Sequence, residues 1–263
     1  MLKRELKINL KSLIIWTTVA IIFFLTLFII FPMLVNEENM ALIEEMMNLF
    51  PPELLQAMNI DLTGFDSVFA IFKTEGMHMF LLIGSMYAAT LGGTILLKEE
   101  SDKTIEYLYS KPVSRNQIIS SKVICALINI LLYTLLVMLV NLIGLTISGD
   151  IEFGLFLRLS LAPLIIFYTS FFIMLLISTL FSKTKIMVSL GIGLVFLSFM
   201  FYMLGGMSDQ VDFLQYLSIF RLASARDIII SNAIDWIAML VGIIIIGITI
   251  FLTYLRYNKK ELV

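Results

Sequence analysis

The sequence predicts an all-α membrane protein with six transmembrane helices, and three observations carry that prediction. Hydrophobic residues fill 60% of the 263 positions against 14% charged, with a mean hydropathy of +0.99, a balance outside the range of soluble domains. Apolar runs of more than about eighteen residues recur, each long enough to cross a bilayer. Lys and Arg gather in alternate connecting segments, the asymmetry that orients polytopic helical proteins. The formal charge of -2 and a pI near 5.5 argue against nucleic acid as a partner. Cys125 is the single cysteine; inside an apolar run it reads as a packed thiol, with no disulfide framework and no thiolate metal cluster.

Residues 1–12 place Leu2, Leu6 and Leu10 on one helical side and Lys3, Lys7 and Lys11 on another. That pattern fits an interfacial amphipathic helix, or equally a basic flank that fixes orientation. The first span covers about 13–35. It is too long for a signal-peptide core and ends in FPMLVNEE without a small-residue cleavage site, so it reads as retained. Residues 36–75 form an acidic external segment in which Met40, Ile43, Met47 and Phe50 share a helical face, ended by Pro51 and Pro52; ELLQAMNI reads as a second short helix.

The second span, about 76–97, carries Gly84, Ala88 and Gly92 at four-residue spacing. Small residues so spaced let helices approach closely in lipid, either within one subunit or between two. The third span is about 123–147, and the fourth, about 155–181, has a kink expected at Pro163. A tight basic turn leads to the fifth, about 186–207. Residues 208–232 are too apolar for a loop and too broken for a span, which fits a re-entrant or interfacial segment. The sixth span, about 233–255, opens with Asp235 and Trp236 and closes with Tyr254, Arg256 and Tyr257. With both termini inside, fourteen of the eighteen Lys and Arg are cytoplasmic, which sets the predicted orientation.

Between the second and third spans lies the polar insert 97–122. Its first half, KEESDKTIEYLYS, is helix-compatible, with Glu99, Glu100, Asp102 and Glu106 facing water or a partner. Lys111-Pro112 breaks that helix, because proline disfavours a helical residue before it. Ser114 is an N-cap candidate, and Gln117 three residues later completes a capping-box pattern for a helix running from Arg115 into the third span. Helix, rigid turn, helix is the shape of a docking element. The alternative is a solvated loop with only an orienting role.

No G-x-x-x-x-G-K-[ST] motif occurs, so the chain carries no phosphate cradle and any ATPase must be another polypeptide. No H-E-x-x-H or G-x-S-x-G motif occurs either, leaving no catalytic residue and no metal site to nominate. His78, the single histidine, reads as a satisfied residue near the outer end of its span. Asn129 and Asn141 either line a pathway or hydrogen-bond a neighbouring helix, the second being preferred. Arg158, Arg221 and Arg226 with Asp209, Asp212 and Asp227 are set to form salt bridges at the outer end.

Glu99-Glu100, Thr104-Ile105-Glu106-Tyr107-Leu108, Ser110-Lys111-Pro112-Val113-Ser114-Arg115, Ile118 and Lys122 resemble the signature after the second span of ABC type-2 transporter permeases. The likeness extends to six spans and an acidic first external segment, so it covers the chain as one permease domain, 1–263. Asp102-Lys103 stands where family members often have Arg-Gly, and Ser121 where Gly is frequent. The resemblance implies that Glu99, Glu100, Thr104, Glu106, Tyr107, Leu108, Pro112, Val113, Ser114 and Arg115 dock on a separate ATP-binding cassette subunit. It implies a non-enzymatic subunit that binds no cofactor itself, with ATP and Mg on the partner. It further implies a dimer, more readily homodimer than heterodimer, in a bacterial cell membrane, exporting an amphipathic or hydrophobic compound such as a peptide or antibiotic. An ion-coupled secondary transporter or channel is the alternative from another class, disfavoured by the scarcity of ionisable residues at mid-membrane. A non-transporting membrane scaffold is the third.

Overall fold

The computed structural model describes residues 2–34, 45, 49, 67–101, 114–149, 151–207 and 209–259. Six helical stretches among them are long and apolar enough to cross a membrane, and no strand occurs among the described residues. Apart from residues 45 and 49, the short external helices expected over 40–60 lie outside the described residues.

Helix α1 (Leu2–Leu34) is unbroken and carries Pro32 in its last turn. The N-terminal dozen residues therefore continue into the first span as one helix. Its buried stripe runs Glu5, Asn9, Leu13, Thr17, Ala20 and Phe24, whereas Leu10, on the stripe expected from hydrophobicity, is 48% exposed. At this level α1 meets another helix through Glu5 and Asn9, outside the leucine–lysine pattern.

The second span begins earlier than the apolar run implies. Ser67 caps α2 (Val68–Ile71) by accepting from the Ala70 amide at 3.1 Å. One wide helical turn, Phe72–Gly76, then leads into α3 (Met77–Ile95). Buried Phe69 and Phe72 hold this extension, and the wide turn accommodates Lys73, Thr74 and Glu75, the polar residues that mask the helix in a hydropathy reading. After α3 come the single turn α4 (Lys98–Ser101) and the long α5 (Arg115–Ser148), which ends on Gly149 at φ +79°, a left-handed position that favours glycine.

The fourth span is split as Pro163 predicts, into α6 (Phe153–Leu161) and α7 (Leu164–Ser178). Helix α8 (Thr184–Gly205) follows. Residues 209–231 form short helical turns: Asp209–Val211, α9 (Phe213–Tyr216), Ile219–Ala223 and α10 (Ala225–Ser231). They fasten to the end of α8 through Gln215 Nε2 donating to the Gly205 carbonyl at 2.8 Å and Ser218 Oγ donating to that of Ser198 at 2.7 Å. Of the ion pairs expected here, Arg221–Asp227 forms, while Arg158 donates to Asn232 Oδ1 instead. Asp235 caps α11 (Trp236–Lys259) by accepting from the Ile237 and Ala238 amides.

Helix α3 and the α6–α7 span form the centre: 67% of the apolar window of each is buried, against 17% for α11. Glycines explain how closely α3 and α7 approach. A methyl group at Gly84 would overlap the Phe167 ring, and one at Gly92 would overlap the Phe171 carbonyl. The small-residue spacing is therefore used within the chain. Phe80, Tyr133 and Phe167 bring α3, α5 and α7 together, with ring centroids 5.4 Å apart for Phe80–Phe167 and 6.3 Å for Phe80–Tyr133. Isoleucines and leucines on α1, α5, α8 and α11 point outward, the surface a helix presents to lipid. Contacts of Glu5 with Lys122, Thr184 with Ser101 and Arg115 with the end of α11 put five segments at one end: the N-terminus, the two roots of the insert, the 182–185 turn and the end of α11.

Candidate functional site

The described part of the insert consists of its two roots, residues 97–101 and 114 onward, and each is fastened to the bundle by a different device. Thr104, Glu106, Tyr107, Leu108, Pro112 and Val113 lie outside the described residues.

The first root is held by a buried ion cluster. Lys122 on α5 is 1% exposed, and its ammonium donates to both carboxylate oxygens of Glu99 on α4, at 2.6 and 2.8 Å, and to the Ile95 carbonyl at 2.6 Å. Glu5 of α1 adds a third member at 3.5 Å, with its other oxygen, Oε1, buried without a hydrogen-bond partner. The Ile95 carbonyl belongs to the last turn of α3, where helix carbonyls lack intrahelical donors and a cation is favoured by the helix dipole. One lysine thereby ties α1, α3, α4 and α5 together. Glu99, expected to face water or a partner, turns its carboxylate inward, because a lysine buried two turns into α5 requires a counter-charge. Glu100 beside it remains partly exposed.

The second root begins with the predicted capping box. Ser114 Oγ accepts from the Gln117 amide at 3.3 Å, and Gln117 Oε1 accepts from the Ser114 amide at 3.0 Å. Arg115 then reaches across to α11 and donates to the Tyr257 and Asn258 carbonyls at 3.3 and 3.1 Å. Its guanidinium sits at a helix C-terminus, where carbonyls need donors and positive charge is stabilising. Asn258 Nδ2 to Asn116 Oδ1 at 2.8 Å and Ser120 with the Tyr254 hydroxyl at 2.7 Å extend the same seam. Displacement of this root therefore pulls on α5 and α11 together.

Deeper in the bundle the residues separate by role. Gly84 and Gly92 seat α7 against α3, and Ala88 between them is fully buried. Asn129 donates to the Cys125 carbonyl of its own helix at 2.8 Å and to Cys125 Sγ at 3.3 Å, so its amide is satisfied without a neighbouring helix. Asn141 is 2% exposed with Oδ1 unpartnered. His78 makes edge contacts with the rings of Phe199 and Tyr202.

Sequence reasoning missed Glu5 and the pairing role of Lys122. A signal existed: both ionisable residues stand beside long apolar runs, where a charge needs a partner. Nothing in the spacing says that residues 5, 99 and 122 meet.

The architecture has two long parallel helices, α1 and α5, a central α3–α7 pair, and a charged insert rooted on four helices at one end. A family model described as ABC-2 family transporter protein matches residues 1–262 of the chain. No curated protein and no solved structure matches it. The chain therefore belongs to the ABC-2 family transporter proteins, as the membrane subunit of an ABC transporter.

Proposed function

We propose that this subunit exports an amphipathic or hydrophobic compound, such as a peptide or antibiotic, as a homodimer driven by two ATP-binding cassette subunits docked on the insert. In this reading the chain sits in a bacterial cell membrane with both termini cytoplasmic, and ATP and Mg are held entirely by the partner subunits. The observation that carries it is the double fastening of the insert. A push delivered between residues 99 and 115 reaches α1, α3 and α5 through Glu99–Lys122 and reaches α11 through Arg115. Rigid attachment at both roots is what a transmitted displacement needs, and the transported compound must bind the two end states unequally for the cycle to move it.

The test is ATP-driven flux and ATPase activity of the complex reconstituted in vesicles, using Glu106→Arg and Arg115→Glu. Both variants are expected to keep the subunit in the membrane while uncoupling substrate-stimulated ATP hydrolysis from flux. Wild-type flux in both would remove docking through the insert, and flux that persists without any ATP-binding partner would favour an ion-coupled carrier.

A further inference from the structure

Beside the ion cluster, at the same end of the bundle, α1, α3 and α8 enclose a cleft of about 450 Å3. Lys11, Lys98 and Lys185 reach it from three separate helices, α1, α4 and α8, and no lining residue is acidic. Among the described residues none of these three ammonium groups has a carboxylate partner. Glu99, next in sequence to Lys98, is committed to Lys122. Three like charges lining one cleft, with no carboxylate partner among the described residues, repel one another, an arrangement that a bound anion relieves.

Besides the lysines the cleft is lined by the uncharged polar residues Asn9, Ser12, Thr94 and Thr184 and by apolar side chains. Ile15, Leu91 and Val188 form the wall below the lysines, and Trp16 stands at its side. A cationic rim over a hydrophobic wall, with a tryptophan at the boundary, matches a ligand that is itself an anion joined to a hydrocarbon chain at the membrane surface.

We propose that this cleft binds an anionic phospholipid, with the headgroup phosphate among Lys11, Lys98 and Lys185 and an acyl chain along Ile15, Leu91 and Val188. Three cations with no acidic lining residue select a headgroup of net negative charge over a zwitterionic one. Lys98 immediately precedes Glu99, so an occupied cleft braces the first root of the insert against α1 and α8. The inference rests on the chain's membrane embedding and is independent of the exported compound.

The experiment is native mass spectrometry of the full-length chain, titrated with phosphatidylglycerol or phosphatidylcholine. The wild type is expected to retain phosphatidylglycerol preferentially. The variant Lys11→Gln/Lys98→Gln/Lys185→Gln should lose at least about tenfold in that affinity, given the roughly tenfold effect of one or two lysines at an anionic surface. A charge-matched control, Lys3→Gln/Lys7→Gln/Lys183→Gln, alters lysines at the same end that do not line the cleft, and it should bind as the wild type does. Should the triple variant fail to fold, Lys11→Gln and Lys185→Gln carry the same test singly, because both side chains are exposed. Equal loss in cleft and control variants, equal binding of the two lipids, or displacement of the lipid by glycerol 3-phosphate at matched concentration would overturn the assignment, the last by pointing to a free-anion site.

Discussion

Replacing Lys122 with methionine removes the cation that joins four helices while keeping an unbranched apolar stem of similar length. Lys122, Glu5 and Glu99 are 1%, 2% and 6% exposed, so water does not take over the lost contacts. Removing one partner from a buried ion pair costs about 3–5 kcal/mol, because the remaining charge is left uncompensated. The 2.6 Å bond to the Ile95 carbonyl disappears as well, adding roughly 1 kcal/mol. At about 2–4 °C per kcal/mol for a chain of this size, the apparent Tm of the purified protein should fall by roughly 10 °C or more. The decisive comparison is Lys122→Met/Glu99→Leu/Glu5→Leu, which removes every charge of the cluster and should recover most of the loss, since apolar replacement of a buried ion cluster is commonly neutral or stabilising. Thermal unfolding in detergent, followed by tryptophan fluorescence, reads both. A single variant melting within about 2 °C of the wild type, or a triple variant melting as low as the single one, would refute the reasoning.

Four further substitutions separate packing from fastening. Gly84→Leu, which drives a side chain into the Phe167 ring, should destabilise by about 1–3 kcal/mol or more, whereas Gly193→Ala, with nothing within 4 Å of the added carbon, should leave the melting curve unchanged. Tyr133→Phe deletes a buried hydroxyl that has no hydrogen-bond partner and should be neutral or stabilising by up to about 1 kcal/mol; a clear fall in Tm would reveal a partner for that hydroxyl in the membrane. Ser114→Ala removes the cap of α5 at a cost of about 1 kcal/mol, and in the reconstituted complex it should lower coupled flux more than it lowers Tm.

The six spans were legible because each is a long apolar run, and length and hydropathy alone decide whether a helix crosses a bilayer. The Pro163 break and the Ser114–Gln117 capping box were legible for a related reason: each depends on residues a few positions apart in the chain. Local chemistry also has blind spots. The start at Ser67 was hidden because a polar triplet interrupts the apolar pattern, and the burial of Glu5 and Asn9 was not legible because both look like surface residues until their partners on α5 are known.

What the sequence determined by itself was the class of protein: a helical membrane subunit without an ATPase motif, with one polar insert carrying the signals of a docking element. Only the tertiary structure decided how that insert is held. Glu5, Glu99 and Lys122 are far apart along the chain, and Arg115 is farther still from Tyr257 and Asn258. Their meeting depends on the parallel alignment of α1 with α5 and on the return of α11 to the same end. Helix propensity and hydropathy act over a few residues, whereas a buried charge is satisfied by whatever the completed fold brings within about 3 Å of it.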